Sequence, residues 1–168
     1  MSFTIYQAST PVFQHSMISL EALLAKAAAH AATKGLTADA LLQARLAPDM
    51  FPLVRQIQIV SDTAKGAAAR LAGLDVPSYA DTETSFPQLQ ERLARTRAFL
   101  ASIDPALYAS AAERDVTLKL RTGDLHFKGA DYLLKFALPN FFFHLTTAYD
   151  ILRNQGLEIG KSDYLGTL

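Results

Sequence analysis

Gly129 to Gly156 reads GADYLLKFALPNFFFHLTTAYDILRNQG, and the fold turns on what this stretch becomes. It is the most apolar long segment of the chain, and its apolar residues recur with a helical period. Leu133, Ala137, Asn140, His144, Ile151 and Gln155 fall on one predicted stripe. Pro139 is expected to bend the helix and Gly156 to end it. If the stripe faces a core, Asn140 and His144 are polar groups set into an apolar interior. Each then requires a hydrogen-bond partner, which makes this helix the place to look for function.

Upstream the pattern is also helical. Phe13, Met17, Leu20, Leu24, Ala27 and Ala31 predict a first helix that starts at a Ser2 or Thr4 cap, runs to Ala32 and stops before Gly35. Pro11 is expected to kink it or to end a short leading turn. Thr37 to Leu46 reads as a short connecting helix. Leu53, Ile57, Val60, Ala64, Ala67 and Leu71 form the seam of a second helix, from Met50 or Pro52 to Ala72. Gln56 lies on the edge of that seam, and Gln58 points about 100° away from Ile57. Leu74 to Thr84 reads as a long loop. Ser85 caps a third helix from Phe86 to Ile103, and Asp104-Pro105 ends it.

Between Asp115 and Lys128 the period changes from 3.6 to 2. Val116, Leu118 and Leu120 alternate with polar residues, as do Leu125 and Phe127, around a Thr122-Gly123-Asp124 turn. That pattern predicts a two-stranded hairpin. Residues 157–168 read as a tail folded back on the surface. The expectation is an all-α protein, a four-helix bundle over residues 1–168 as a single domain, with a small β-hairpin between helices three and four.

Composition excludes several classes. Lys plus Arg and Asp plus Glu both number 16, without a run of like charge, which argues against a nucleic-acid surface. There is no cysteine, hence no disulfide, thiolate metal site or cysteine nucleophile. The N-terminus lacks the pattern of a signal peptide, and no run of about 18 apolar residues suggests a membrane span. The expectation is a cytoplasmic protein without nucleic-acid or membrane partners. No nucleophile elbow or phosphate-binding glycine loop occurs. His15 lies beside the first core stripe, and His126 lies on the polar side of the hairpin. Asp62 with Lys65, and Glu91 with Arg95, read as surface ion pairs.

Phe51-Pro52-Leu53, Gln56, Asp62, Ala69-Arg70-Leu71-Ala72-Gly73 and Pro139-Asn140-Phe141-Phe142-Phe143-His144, with Thr146-Thr147-Ala148-Tyr149 and Ile151-Leu152-Arg153, carry a resemblance along nearly the whole chain. The sequence resembles the DinB/YfiT-like bundle superfamily, and within it a bacterial family known only as a domain of unknown function. Many members of that superfamily are metal-binding or thiol-dependent enzymes. The resemblance implies three histidine ligands, one on the second helix and an H-x-x-x-H pair on the fourth. His144 matches the second of the pair, Asn140 stands at the first, and Gln56 or Gln58 stands on the second helix. Amide oxygens are poor ligands for zinc or nickel, so no cofactor is expected.

Two functions from different classes follow. One is a dimeric binding or vestigial module, with Gln56, Asn140, His144 and Thr147 as candidate ligand-binding residues and a small molecule as possible ligand. The other is a thiol-transfer or isomerase-type enzyme, with His144 as base or metal ligand. Phe141, Phe142 and Phe143 cannot all face one core on a helix. An aromatic left outside predicts a homodimer.

Overall fold

The computed structural model describes residues 3–120 and 122–167. Four long helices make the body: α1 (Thr10–Lys34), α3 (Leu53–Ala72), α4 (Phe86–Ser102) and α6 (Leu138–Asn154). A short α2 (Ala38–Leu42) links the first two. Contacts run from α1 to α4, α4 to α3, α3 to α6 and α6 back to α1, so the four stand around one core. Phe13, Met17, Leu20 and Leu24 meet Leu53, Ile57, Val60, Leu89, Leu93, Phe141 and Leu145 there, all buried. Each such side chain stabilises the fold by roughly 1.5–3 kcal/mol through leaving water. No helix among the described residues is long and apolar enough to cross a membrane.

Local chemistry sets the helix ends. The Thr37 hydroxyl accepts from Ala40 N–H, and the Ser85 hydroxyl from Gln88 N–H. Gly35 and Gly73 close α1 and α3 in the left-handed region, at φ 64° and 73°. Helix α1 starts at Thr10 and not at the expected cap, of which Ser2 lies outside the described residues. Pro11 then sits in the first turn, where its missing N–H costs nothing, and kinks nothing.

The hairpin is β1 (Asp115–Leu120) and β2 (Gly123–Lys128), antiparallel, with Asp115 opposite Lys128 and Leu120 opposite Gly123. Gly123 is therefore the first residue of β2 and not the centre of the turn. Strand β2 runs straight into α5 (Gly129–Tyr132), a π-helical segment (Leu133–Ala137) and α6. Leu138 N–H bonds back to Leu133 O, five residues away, so one extra residue is inserted just before Pro139. The wide turn accommodates the proline ring, which lacks a donor and would crowd a regular turn. The insertion also moves the buried stripe onto Leu133, Ala137, Phe141, Leu145, Ala148 and Leu152. Asn140 becomes half-buried at its border, and Gln155, expected on the stripe, is exposed.

The C-terminal residues do fold back. Leu157 and Ile159 are buried, and α7 (Lys161–Leu165) packs on α1 through a Lys26–Asp163 ion pair. His15 bonds there too, its Nε2 2.7 Å from Leu165 O.

Candidate functional site

The face shared by α3 and α6 brings Gln56 to His144. Gln56 Oε1 lies 2.7 Å from His144 Nδ1, and Gln56 Nε2 donates to Phe51 O at 2.9 Å. A backbone carbonyl only accepts, so the Gln56 amide nitrogen must face Phe51 and its oxygen must face the imidazole. His144 therefore donates from Nδ1 and keeps its lone pair on Nε2. Gln56 is 1% exposed and His144 8%. The buried side-chain atoms without a partner among the described residues are Glu21 Oε1 and Arg92 Nε. His144 Nε2 is not among them: it has no partner among the described residues, yet it reaches solvent.

Burial holds the His144 imidazole below its ordinary value, and the Arg55 guanidinium pushes it the same way. The result is a neutral ring with one basic nitrogen at the protein's edge. The Phe143 ring stands edge-on to the imidazole at 5.2 Å and is 57% exposed. Phe51 is 54% exposed, with Arg55 5.9 Å from its ring centre. Of the three consecutive phenylalanines, Phe141 is buried against Phe13 and Phe142 is half-buried.

The other candidate residues stand apart. Asn140 donates to Thr63 Oγ1 at 2.8 Å and does not meet His144. The Thr147 hydroxyl donates to Phe143 O within its own helix. Gln58 is buried too, but it donates to Glu83 on the opposite flank of α3. His126 bonds the Thr117 hydroxyl on the outer face of the hairpin, and His15 serves α7, not the bundle centre.

These residues do not fit the metal that the superfamily resemblance implies. No group of three or more His, Cys, Asp or Glu side chains is placed to hold a metal ion among the described residues. The Gln56 oxygen is engaged by the imidazole, and the Asn140 nitrogen donates to Thr63. His144 Nε2 is then a single imidazole donor, where zinc needs at least three protein ligands.

A model for a domain of unknown function, DUF1993, matches residues 5–165. The chain belongs to the DUF1993 family. A crystal structure of a DinB family member protein from Shewanella denitrificans is similar to this DUF1993 protein at a TM-score of 0.91 and 38% identity. The match covers 98% of this chain and 93% of that one. No curated protein matches. The family and the DinB-like bundle are thus those that the sequence pattern implied.

One feature of the DUF1993 chain escaped the sequence reading. Asp62 and Lys65 are not a plain surface pair, because Lys65 is buried and Asp62 also accepts from Arg92 at 2.8 Å. Arg92, with a side chain 2% exposed, further binds Asp81, Glu83 and Ala80 O. Arg55 pairs with Asp81, and Gln58 with Glu83. Three cations and three carboxylates thus pin residues 74–84 across α3 and α4. The available signal was positional: Arg92 falls between Leu89 and Leu93, and Lys65 beside Ala64, at inward helical positions.

Proposed function

We propose that this protein is a binding module, working as a homodimer in the cytoplasm, in which the superfamily's metal-holding position has become a hydrogen-bonded His–Gln pair. The observation that carries this reading is the Gln56 amide seated on His144 Nδ1 at 2.7 Å. An amide there orients a neutral imidazole and leaves Nε2 to accept a proton donor from a small ligand. The apolar part of such a ligand would lie on Phe51 and Phe143. The same two exposed rings support association of two copies, and zero formal net charge does not oppose it. Protein purified without an affinity tag and incubated with zinc or nickel is expected to retain far less than one metal per chain. Stoichiometric retention would overturn the reading. Light scattering at high micromolar concentration is expected to give a dimer, and a monomer would remove that part.

A second reading is favoured by one observation. A neutral imidazole with a solvent-reaching Nε2 is the form a general base takes. A thiol-transfer or isomerase-type reaction would use it so. His144→Gln would then abolish turnover while leaving ligand affinity within a few-fold, a split that a binding module would not give.

A further inference from the structure

A cleft of about 290 Å³ opens between residues 74–84 and α4, lined in part by Tyr79, Gln88, Glu91, Arg92 and Arg95. It shares no residue with the His144–Gln56 pair. The Arg95 guanidinium lies 4.0 Å from the centre of the Tyr79 ring and makes no ion pair among the described residues. Stacking engages the face of the guanidinium and leaves its in-plane fork of N–H donors free. Glu91 stands one turn before it on α4. That spacing would let the two side chains meet, yet Glu91 is also without an ion pair among the described residues. Between them, Arg92 spends Nη1 and Nη2 on Ala80 O, Asp62, Asp81 and Glu83, while its buried Nε has no partner. A buried donor on a charged group without an acceptor marks a place where an acceptor is missing.

The cleft thus presents one free cation held rigid on an aromatic ring, one free anion a turn away, and an unsatisfied donor behind them. A plain anion would be attracted by Arg95 and repelled by Glu91. A plain cation would meet the reverse. We propose that this cleft binds a small zwitterion of amino-acid size, its carboxylate on the Arg95 fork and its ammonium on Glu91. A bidentate carboxylate suits the Arg95 geometry.

Arg95 and Glu91 are exposed, so Arg95→Gln and Glu91→Gln leave the fold intact, which thermal melts would verify. Titration calorimetry with the free α-amino acids is expected to find at least one that saturates below about 10 mM. Each variant should weaken it by about tenfold or more. Acetate and ethylammonium, each carrying one of the two charges, should bind at least about tenfold more weakly than the zwitterion. His144→Leu should leave the binding unchanged, which separates this site from the His144 pair. No saturation by any amino acid would overturn the proposal. So would acetate binding as tightly as the zwitterion and tightening in Glu91→Gln, which would mark a simple anion site.

Discussion

At the scale of single residues, Gln56 fixes the tautomer of His144, while burial and Arg55 lower its pKa. The lowered pKa of His144 keeps its imidazole neutral in the folded protein at a pH where the same side chain in the unfolded protein has taken up a proton. The unfolded state then binds more protons, so stability rises with pH across this window and falls as pH drops below the ordinary value of 6.5. Urea unfolding of the wild type between pH 7 and pH 5 should show this acid loss, and His144→Leu should lack that part of it. At neutral pH, His144→Leu should be tolerated better than His144→Ala. Both leave the buried Gln56 oxygen unpaired, at about 1–3 kcal/mol, and the alanine also opens a cavity. Adding Gln56→Leu to His144→Leu removes the orphaned acceptor. Double-mutant unfolding should therefore cost less than the two single changes summed, and simple additivity would show that the pair is not coupled.

At the scale of elements, the junction of β2 and α5 tolerates no side chain. A Cβ built on Gly129 would stand 1.8 Å from Ala111 O, a backbone atom that cannot swing aside. Gly129→Ala should destabilise by more than about 3 kcal/mol in thermal or urea unfolding. At Gly123, with φ 124° and open space around it, alanine meets no clash and should cost about 1–3 kcal/mol through backbone strain alone. These elements were largely legible in the sequence, because a change of period from 3.6 to 2 needs no tertiary information. The seams on α1 and α3 were legible for the same reason: residues three and four apart share a face whatever lies opposite. The path of the helix past Pro139 was not. The π-turn adds one residue, so a stripe counted straight through Leu133 and Ala137 to Asn140 and Gln155 drifts off the true face. Of the candidate site, the Gln56–His144 juxtaposition was legible because both residues border apolar seams. Asn140 was misplaced by the π-turn. The pairing of Arg92 was hidden because its acceptors come from Asp62 on another helix and from the loop that carries Asp81 and Glu83.

At the scale of the whole molecule, that loop is held by charge. None of residues 74–84 is buried, whereas Arg92 beneath them is. Arg92→Met would leave Asp62, Asp81 and Glu83 facing one another with less neutralisation, and breaking such a partly buried network costs about 3–5 kcal/mol. Amide exchange across residues 74–84 should accelerate well beyond that of α3. Unchanged exchange there would mean that the ion pairs do not hold the segment. Burial pushes the Glu83 carboxyl up, but hydrogen bonds from Arg92 and Gln58 outweigh it and hold the group below its ordinary value. Its stabilisation is present above pH 4.5 and is lost as pH falls through the lowered value. Glu83→Gln should therefore flatten the acid limb of the stability curve.

Gln56 and His144 are 88 residues apart along the chain. As the chain is synthesised, α1, α3 and α4 all emerge before the imidazole exists. An amide that will end 1% exposed must wait in water, or against some other partner, until α6 arrives. Closing so long a loop is entropically costly and is offset only when α6 packs along α3. The His144 pair thus reports completed folding: its ring resonances, followed in real time during refolding, should reach their native positions among the last in the molecule.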